Sequence, residues 1–170
     1  MTETALTAKF ALTSPDATAA LAEWLAPRLV AGDVVLLDGP IGAGKSHFCR
    51  AIIQTRLASV GMAEDVPSPT FTLVQVYDLP EVSVWHADLY RLSSADQAVE
   101  LGLEDAFEDA ITLIEWPDRL GQFTPKKALT LHISYADDPE TRNFTFSASD
   151  PRWGATLTDI SEKWRYSAND

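Results

Sequence analysis

The residues whose types and spacing can do chemistry begin at Gly39-Pro40-Ile41-Gly42-Ala43-Gly44-Lys45-Ser46. The run fits the pattern G-x-x-x-x-G-K-[ST] in full. Glycines let a turn wrap closely, so that successive backbone N–H groups point inward at an anion. A helix starting at the end of such a turn adds its unpaired N-terminal donors and the positive end of its dipole. In this pattern Lys45 reaches the β- and γ-phosphates of a nucleoside triphosphate, and the Ser46 hydroxyl ligates the magnesium bound to them. The stretch from Gly39 through His47 is therefore the expected nucleotide-binding segment.

Two carboxylates extend the constellation. Asp88 lies just beyond the apolar run Val82–Ala87, and Glu115 ends the run Ile111–Ile114. In parallel α/β sheets, ligands gather at the carboxyl ends of strands. Asp88 is expected to bind magnesium directly or through water, the alternative being a turn or cap residue. Glu115 is expected to orient an attacking water or bind metal through water, the alternative being a salt bridge with Arg119 or Arg91. Trp116 can stack near a nucleotide, face a protein partner, or simply pack. His47, His86 and His132 show no metal-ligand spacing and no cysteine partner, so no zinc site is expected. His86 reads as a core or supporting histidine, and Cys49, early in the helix after the turn, as a small core residue.

Such a constellation needs a frame, and 170 residues with 46% apolar content give one domain with a real core. No run of eighteen apolar residues occurs, and Met1 to Leu12 has no basic region followed by an apolar one. A cytoplasmic protein with no membrane association is expected. One cysteine excludes an internal disulfide and fits a reducing compartment. With 25 acidic and 13 basic residues the formal charge is −12. That balance disfavours unaided capture of nucleic acid and points to nucleotide–magnesium and another protein as partners.

The elements follow from pattern. A short strand is read at Lys9–Leu12, then a helix capped at Ser14-Pro15-Asp16 and curtailed by Pro27, with Leu21, Trp24, Leu25 and Leu29 on one face. Val34–Leu37 reads as a buried parallel strand, and a helix then runs to about Val60. Gly61–Pro67 is a loop. Phe71–Tyr77 and Val82–Ala87 form an antiparallel hairpin at one side of the sheet. Ser93–Asp96 caps a short helix broken by Gly102, and Leu103–Phe107 forms a second. Ile111–Ile114, Ala128–Ser134 and Arg142–Ser147 are further strands, and Thr156–Trp164 a terminal helix, with Tyr166–Asp170 frayed.

Among proteins with this phosphate loop, a GTPase is disfavoured by the lack of an Asn-Lys-x-Asp segment and of an Asp-x-x-Gly switch. A small-molecule or nucleotide kinase remains an alternative, as does a regulator that binds nucleotide without hydrolysing it. The segments Gly39–Ser46, Ser68-Pro69-Thr70-Phe71-Thr72-Leu73, His86-Ala87-Asp88-Leu89-Tyr90-Arg91-Leu92, Leu101-Gly102-Leu103 and Ile114-Glu115-Trp116-Pro117, in that order, resemble the TsaE (formerly YjeE) family. The resemblance runs from about Leu6 to Ile133.

It implies an α/β fold: a single P-loop NTPase-like domain with a mixed central β-sheet flanked by helices. It also implies an ATPase that needs ATP and Mg2+, is weak alone, and works with the TsaD and TsaB proteins. That pair places a threonylcarbamoyl group on adenosine 37 of tRNAs reading codons that begin with A, so tRNA would be met only through the complex. By similarity Lys45, Asp88 and Glu115 are catalytic, Ser46, Asp88 and Glu115 serve the metal, and Thr70 and Trp116 lie by the nucleotide. The family commonly has Asp-Leu at Pro40-Ile41 and threonine at Ser46. Pro40 stiffens the loop and removes one N–H donor.

Overall fold

The computed structural model describes residues 6–69 and 72–164. Alternation of apolar and polar residues builds β1 (Leu6–Leu12), whose Ala8, Phe10 and Leu12 are buried. Ser14 then caps α1 (Pro15–Leu25), its side chain accepting from the Ala17 N–H at 3.1 Å. The helix gives way to a 3-10 turn at Ala26–Arg28, as Pro27 requires. β2 (Val34–Asp38) leads through the glycine-rich turn into α2 (Lys45–Ser59). The hairpin of β3 (Val74–Asp78) and β4 (Ser83–Asp88) follows, then short helices α3 (Asp96–Glu100) and α4 (Leu103–Asp109). β5 (Ile111–Glu115), β6 (Leu129–Tyr135), β7 (Arg142–Ala148) and α5 (Gly154–Trp164) complete the order.

The strands make one mixed sheet in the order β1-β7-β6-β2-β5-β4-β3. β2 lies between β5 and β6, parallel to both, and β4 runs parallel to β5. β1–β7, β6–β7 and β3–β4 are antiparallel. β2 is buried on both faces, and strand alternation divides it: Val35 and Leu37 join the α1, α2 and α5 side, Val34 and Leu36 the α3 and α4 side. This is a mixed α/β fold, a central sheet flanked by helices, as the sequence leads one to expect.

Several element ends differ from expectation, and three of the differences have a clear physical cause. β1 is longer, because it pairs along its whole length with β7. β3 begins at Val74 rather than Phe71, because Leu73 takes a left-handed φ of 68° and breaks the strand geometry. No serine side chain caps α3; its N-cap is Ala95, and the Gln97 side chain instead accepts from the Ser93 N–H at 2.9 Å. Thr70, Phe71 and the expected fraying at Tyr166–Asp170 lie outside the described residues.

The C-terminal elements are tied to the base of β2. Arg152 donates from Nη2 to Asp33 Oδ2 at 2.6 Å and from Nε to Oδ1 at 3.0 Å. α5 packs on β1, where Trp164 stacks near Phe10 and meets Trp24 edge-on. Among the described residues, no helix is long and apolar enough to cross a membrane.

Candidate functional site

A cleft of about 390 Å³ opens at the carboxyl ends of β2, β4 and β5. Ile41, Gly42, Gly44, Lys45, Ser46, His47, Asp88, Glu115 and Trp116 from the expected set line it, joined by Arg50, Ser68 and Tyr90. Gly39, Pro40 and Ala43 do not line it. Gly39 has φ +148°, and a Cβ there would stand 2.2 Å from the Ile133 carbonyl oxygen of β6, so it serves close packing of loop on sheet. Ala43 is buried in the core. Gly44 differs: at φ +112°, nothing lies within 4 Å of the place its Cβ would take. Thr70, expected beside the cleft, lies outside the described residues.

Lys45 opens α2 and folds back over its own loop. Its ammonium donates to the Gly39 carbonyl and, at 3.2 Å, to that of Pro40. It also sits 3.9 Å above the centroid of the Trp116 ring. Burial holds its pKa below the ordinary lysine value, an effect that Glu115, Asp38, Asp88 and Asp118 partly offset. Trp116 is held in a left-handed backbone conformation (φ 60°), with its N–H donating to Leu37 O at 3.3 Å and its ring 4.9 Å from that of Tyr90. The loop is tethered from the far side, where the Tyr135 hydroxyl of β6 donates to the Ile41 carbonyl.

Period-two alternation brings the carboxylates together. Asp88 and Glu115 are paired across the β4–β5 ladder, both buried and both facing α2. Asp88 accepts from the Tyr90 N–H at 3.1 Å, and its own N–H donates to Leu73 O at 2.9 Å, which brings the entrance loop onto the site. Desolvation pushes the Asp88 carboxyl above its usual range, and Glu115 pushes further in the same direction.

The alternative weighed for Glu115, a salt bridge with Arg119, is not formed. Arg119 sits 3.9 Å from Asp118. The Glu115 carboxylate is instead engaged by Ser46, whose Oγ donates to Oε1 at 2.7 Å, and by His86, whose Nε2 lies 2.7 Å from Oε2. His86 thus has a defined partner that spacing along the chain did not reveal. Cys49 joins them: its Sγ, a His86 ring nitrogen and a Glu115 oxygen lie within 4.8 Å of one another. Burial drives the Cys49 pKa well above the ordinary thiol value.

Ser46, Asp88 and Glu115 together offer oxygen donors, the set a hard divalent cation takes. Beside them stand a glycine turn with open space at Gly44 and a lysine, the chemistry of an anion chain. The residues present fit a phosphate–magnesium ligand.

Comparison with known proteins identifies the family. The family model described as "Threonylcarbamoyl adenosine biosynthesis protein TsaE" matches residues 12–144. A tRNA threonylcarbamoyladenosine biosynthesis protein TsaE of Rickettsia bellii is 38% identical over 127 residues, 75% of this chain and 86% of its own. That of Bacillus subtilis is 31% identical over 154 residues, 90% of this chain and 93% of its own. The crystal structure of Bacillus subtilis YdiB superposes with a TM-score of 0.75 at 26% identity, over 95% of this chain and 98% of that one. With the fold, the glycine loop and its two strand-end carboxylates in place, the chain belongs to the TsaE family, on a P-loop NTPase fold.

Proposed function

We propose that the chain is a magnesium-dependent ATPase that binds the TsaB–TsaD complex and supports formation of threonylcarbamoyladenosine in tRNA. The observation that carries the reading is the convergence of Lys45, Ser46, Asp88 and Glu115 on one cleft. Family membership supports the tRNA-modification role. The charge of −12 supports reliance on partners for contact with tRNA.

Each residue has a task. The Gly42 and Gly44 backbone and the start of α2 cradle the phosphates. Lys45 exchanges the Gly39 and Pro40 carbonyls for phosphate oxygens. Ser46 Oγ, exchanging its bond to Glu115 Oε1, and the Asp88 carboxylate would hold the magnesium ion. Magnesium, when bound, supplies charge that offsets the charge developing on the phosphoryl oxygens. Glu115 Oε1, released by Ser46, accepts a hydrogen bond from the attacking water and orients it. Trp116 and Tyr90 wall the cleft.

The test is ADP release from MgATP by the purified protein, with and without TsaB, TsaD and substrate tRNA. Stimulation by the partners, lost in Lys45→Ala and Glu115→Ala, is the expected result. A rate indifferent to partners but dependent on a phosphate acceptor would replace this reading with a kinase.

A further inference from the structure

His86 lies inside the molecule with no exposed surface, in contact with the one carboxylate expected to handle water. We propose that His86 is the positioning residue of Glu115: it holds Oε2, so that Oε1 alone is presented to the cleft. The inference rests on the ATPase reading given above.

Three observations carry it. First, the strand register places His86 diagonally across from Glu115, on the same face of the sheet, since His86 pairs with Leu113 and Asp88 with Glu115. The contact is built into two rigid neighbouring strands rather than a loop. Second, the two carboxylate oxygens have different partners. Oε2 meets His86 in the closed interior, and Oε1 meets Ser46, which lines the cleft. The interior bond can persist while the cleft-side bond is exchanged. Were Ser46 to give its hydroxyl to a metal, Oε1 would be free toward water while His86 still held Oε2.

Third, the ring is not what packing alone would choose. A carboxylate oxygen accepts, so Nε2 must carry the hydrogen; Nδ1 is then buried, with no hydrogen-bond partner among the described residues. Such an orphaned ring nitrogen costs stability that leucine at this position would not. Keeping the ring makes sense for the bond at its other end. His86 touches neither phosphate nor water in this scheme, and acts through Glu115.

The test compares wild type, His86→Gln, His86→Asn and His86→Leu in partner-stimulated ATP hydrolysis, with MgATP affinity measured separately by calorimetry. Glutamine can place its amide N–H near the position of Nε2, whereas asparagine places its own near Nδ1. The expected result is a kcat loss of roughly 10- to 100-fold in His86→Asn and His86→Leu, ATP affinity within about twofold of wild type, and partial recovery in His86→Gln. Should His86→Leu fail to fold, the Gln–Asn contrast decides alone. Equal kcat in Gln and Asn variants, or a change confined to ATP affinity, overturns the positioning role while the ATPase reading stands. A wild type that hydrolyses no ATP overturns both.

Discussion

Asp88 and Glu115 stand directly opposite one another at the ends of adjacent parallel strands, two buried carboxylates with Lys45 as the nearby buried cation. Burial opposes ionisation of Asp88, and the charge on Glu115 opposes it further. An ionised Asp88 in that place costs the folded protein stability, and a cation bound there would offset the cost.

That cost gives a pH dependence. Burial raises the Asp88 pKa from an ordinary value of 3.8. An acid with a higher pKa in the folded state binds its proton more tightly when folded. Its stabilising contribution is complete below pH 3.8 and is lost as pH rises through the raised value. Asparagine carries no such proton. Ligand-free Asp88→Asn is therefore expected to outlast wild type in urea at neutral pH, the difference shrinking below that window, while its MgATP binding is lost. Urea midpoints collected across pH decide this; a difference that does not vary with pH would count against the assignment.

The Trp116 ring reports on Lys45. In the ligand-free arrangement the ammonium lies 3.9 Å above that ring and holds the loop carbonyls. On the proposed reading, nucleotide draws Lys45 away from both. MgATP is expected to change tryptophan emission, and the change to vanish in Trp116→Phe, although Trp24, Trp85, Trp153 and Trp164 remain. A change of equal size in Trp116→Phe would mean that the signal arises elsewhere.

The glycine turn, Asp88 and Glu115 were legible because each belongs to a local pattern: a loop of fixed spacing, or an acid closing an apolar run. What escaped was set by pairing across the sheet. His86 and Glu115 are 29 residues apart, and only the β4–β5 register brings them together. Tyr135 and Ile41 are 94 apart, and Arg152 and Asp33 119 apart. Leu73 misled in another way, since its composition favours strand while the chain there turns left-handed, with its carbonyl held by the Asp88 N–H. Tertiary contact overrode local preference at the point where the entrance loop meets the site.

Cys49 offers a clean probe of integrity. Its sulfur has no exposure in the folded protein, and burial pushes its pKa well above the ordinary thiol value. Alkylation by iodoacetamide is expected to be at least about 100-fold slower in the native protein than in denaturant, because reaction must await opening of the core. Ready labelling without unfolding would mean that α2 does not pack as described.

Two glycines of the same loop should fail in different ways. A Cβ at Gly39 would meet the Ile133 carbonyl at 2.2 Å, backbone against backbone, with no flexible side chain to yield. Gly39→Ala is expected to cost about 3 kcal/mol or more of stability, since loop and β6 must separate. Gly44→Ala meets no atom within 4 Å and pays only for its φ of +112°, about 1–2 kcal/mol. Gly44 lines the cleft and its Cβ would stand in open space, where the proposed reading brings a phosphate close to the backbone. Thermal unfolding should therefore single out Gly39→Ala, and calorimetric titration with MgATP should single out a still-folded Gly44→Ala. If Gly44→Ala binds nucleotide as wild type does, the phosphates do not run where Gly42, Gly44 and Lys45 converge, and the cleft assignment fails with it.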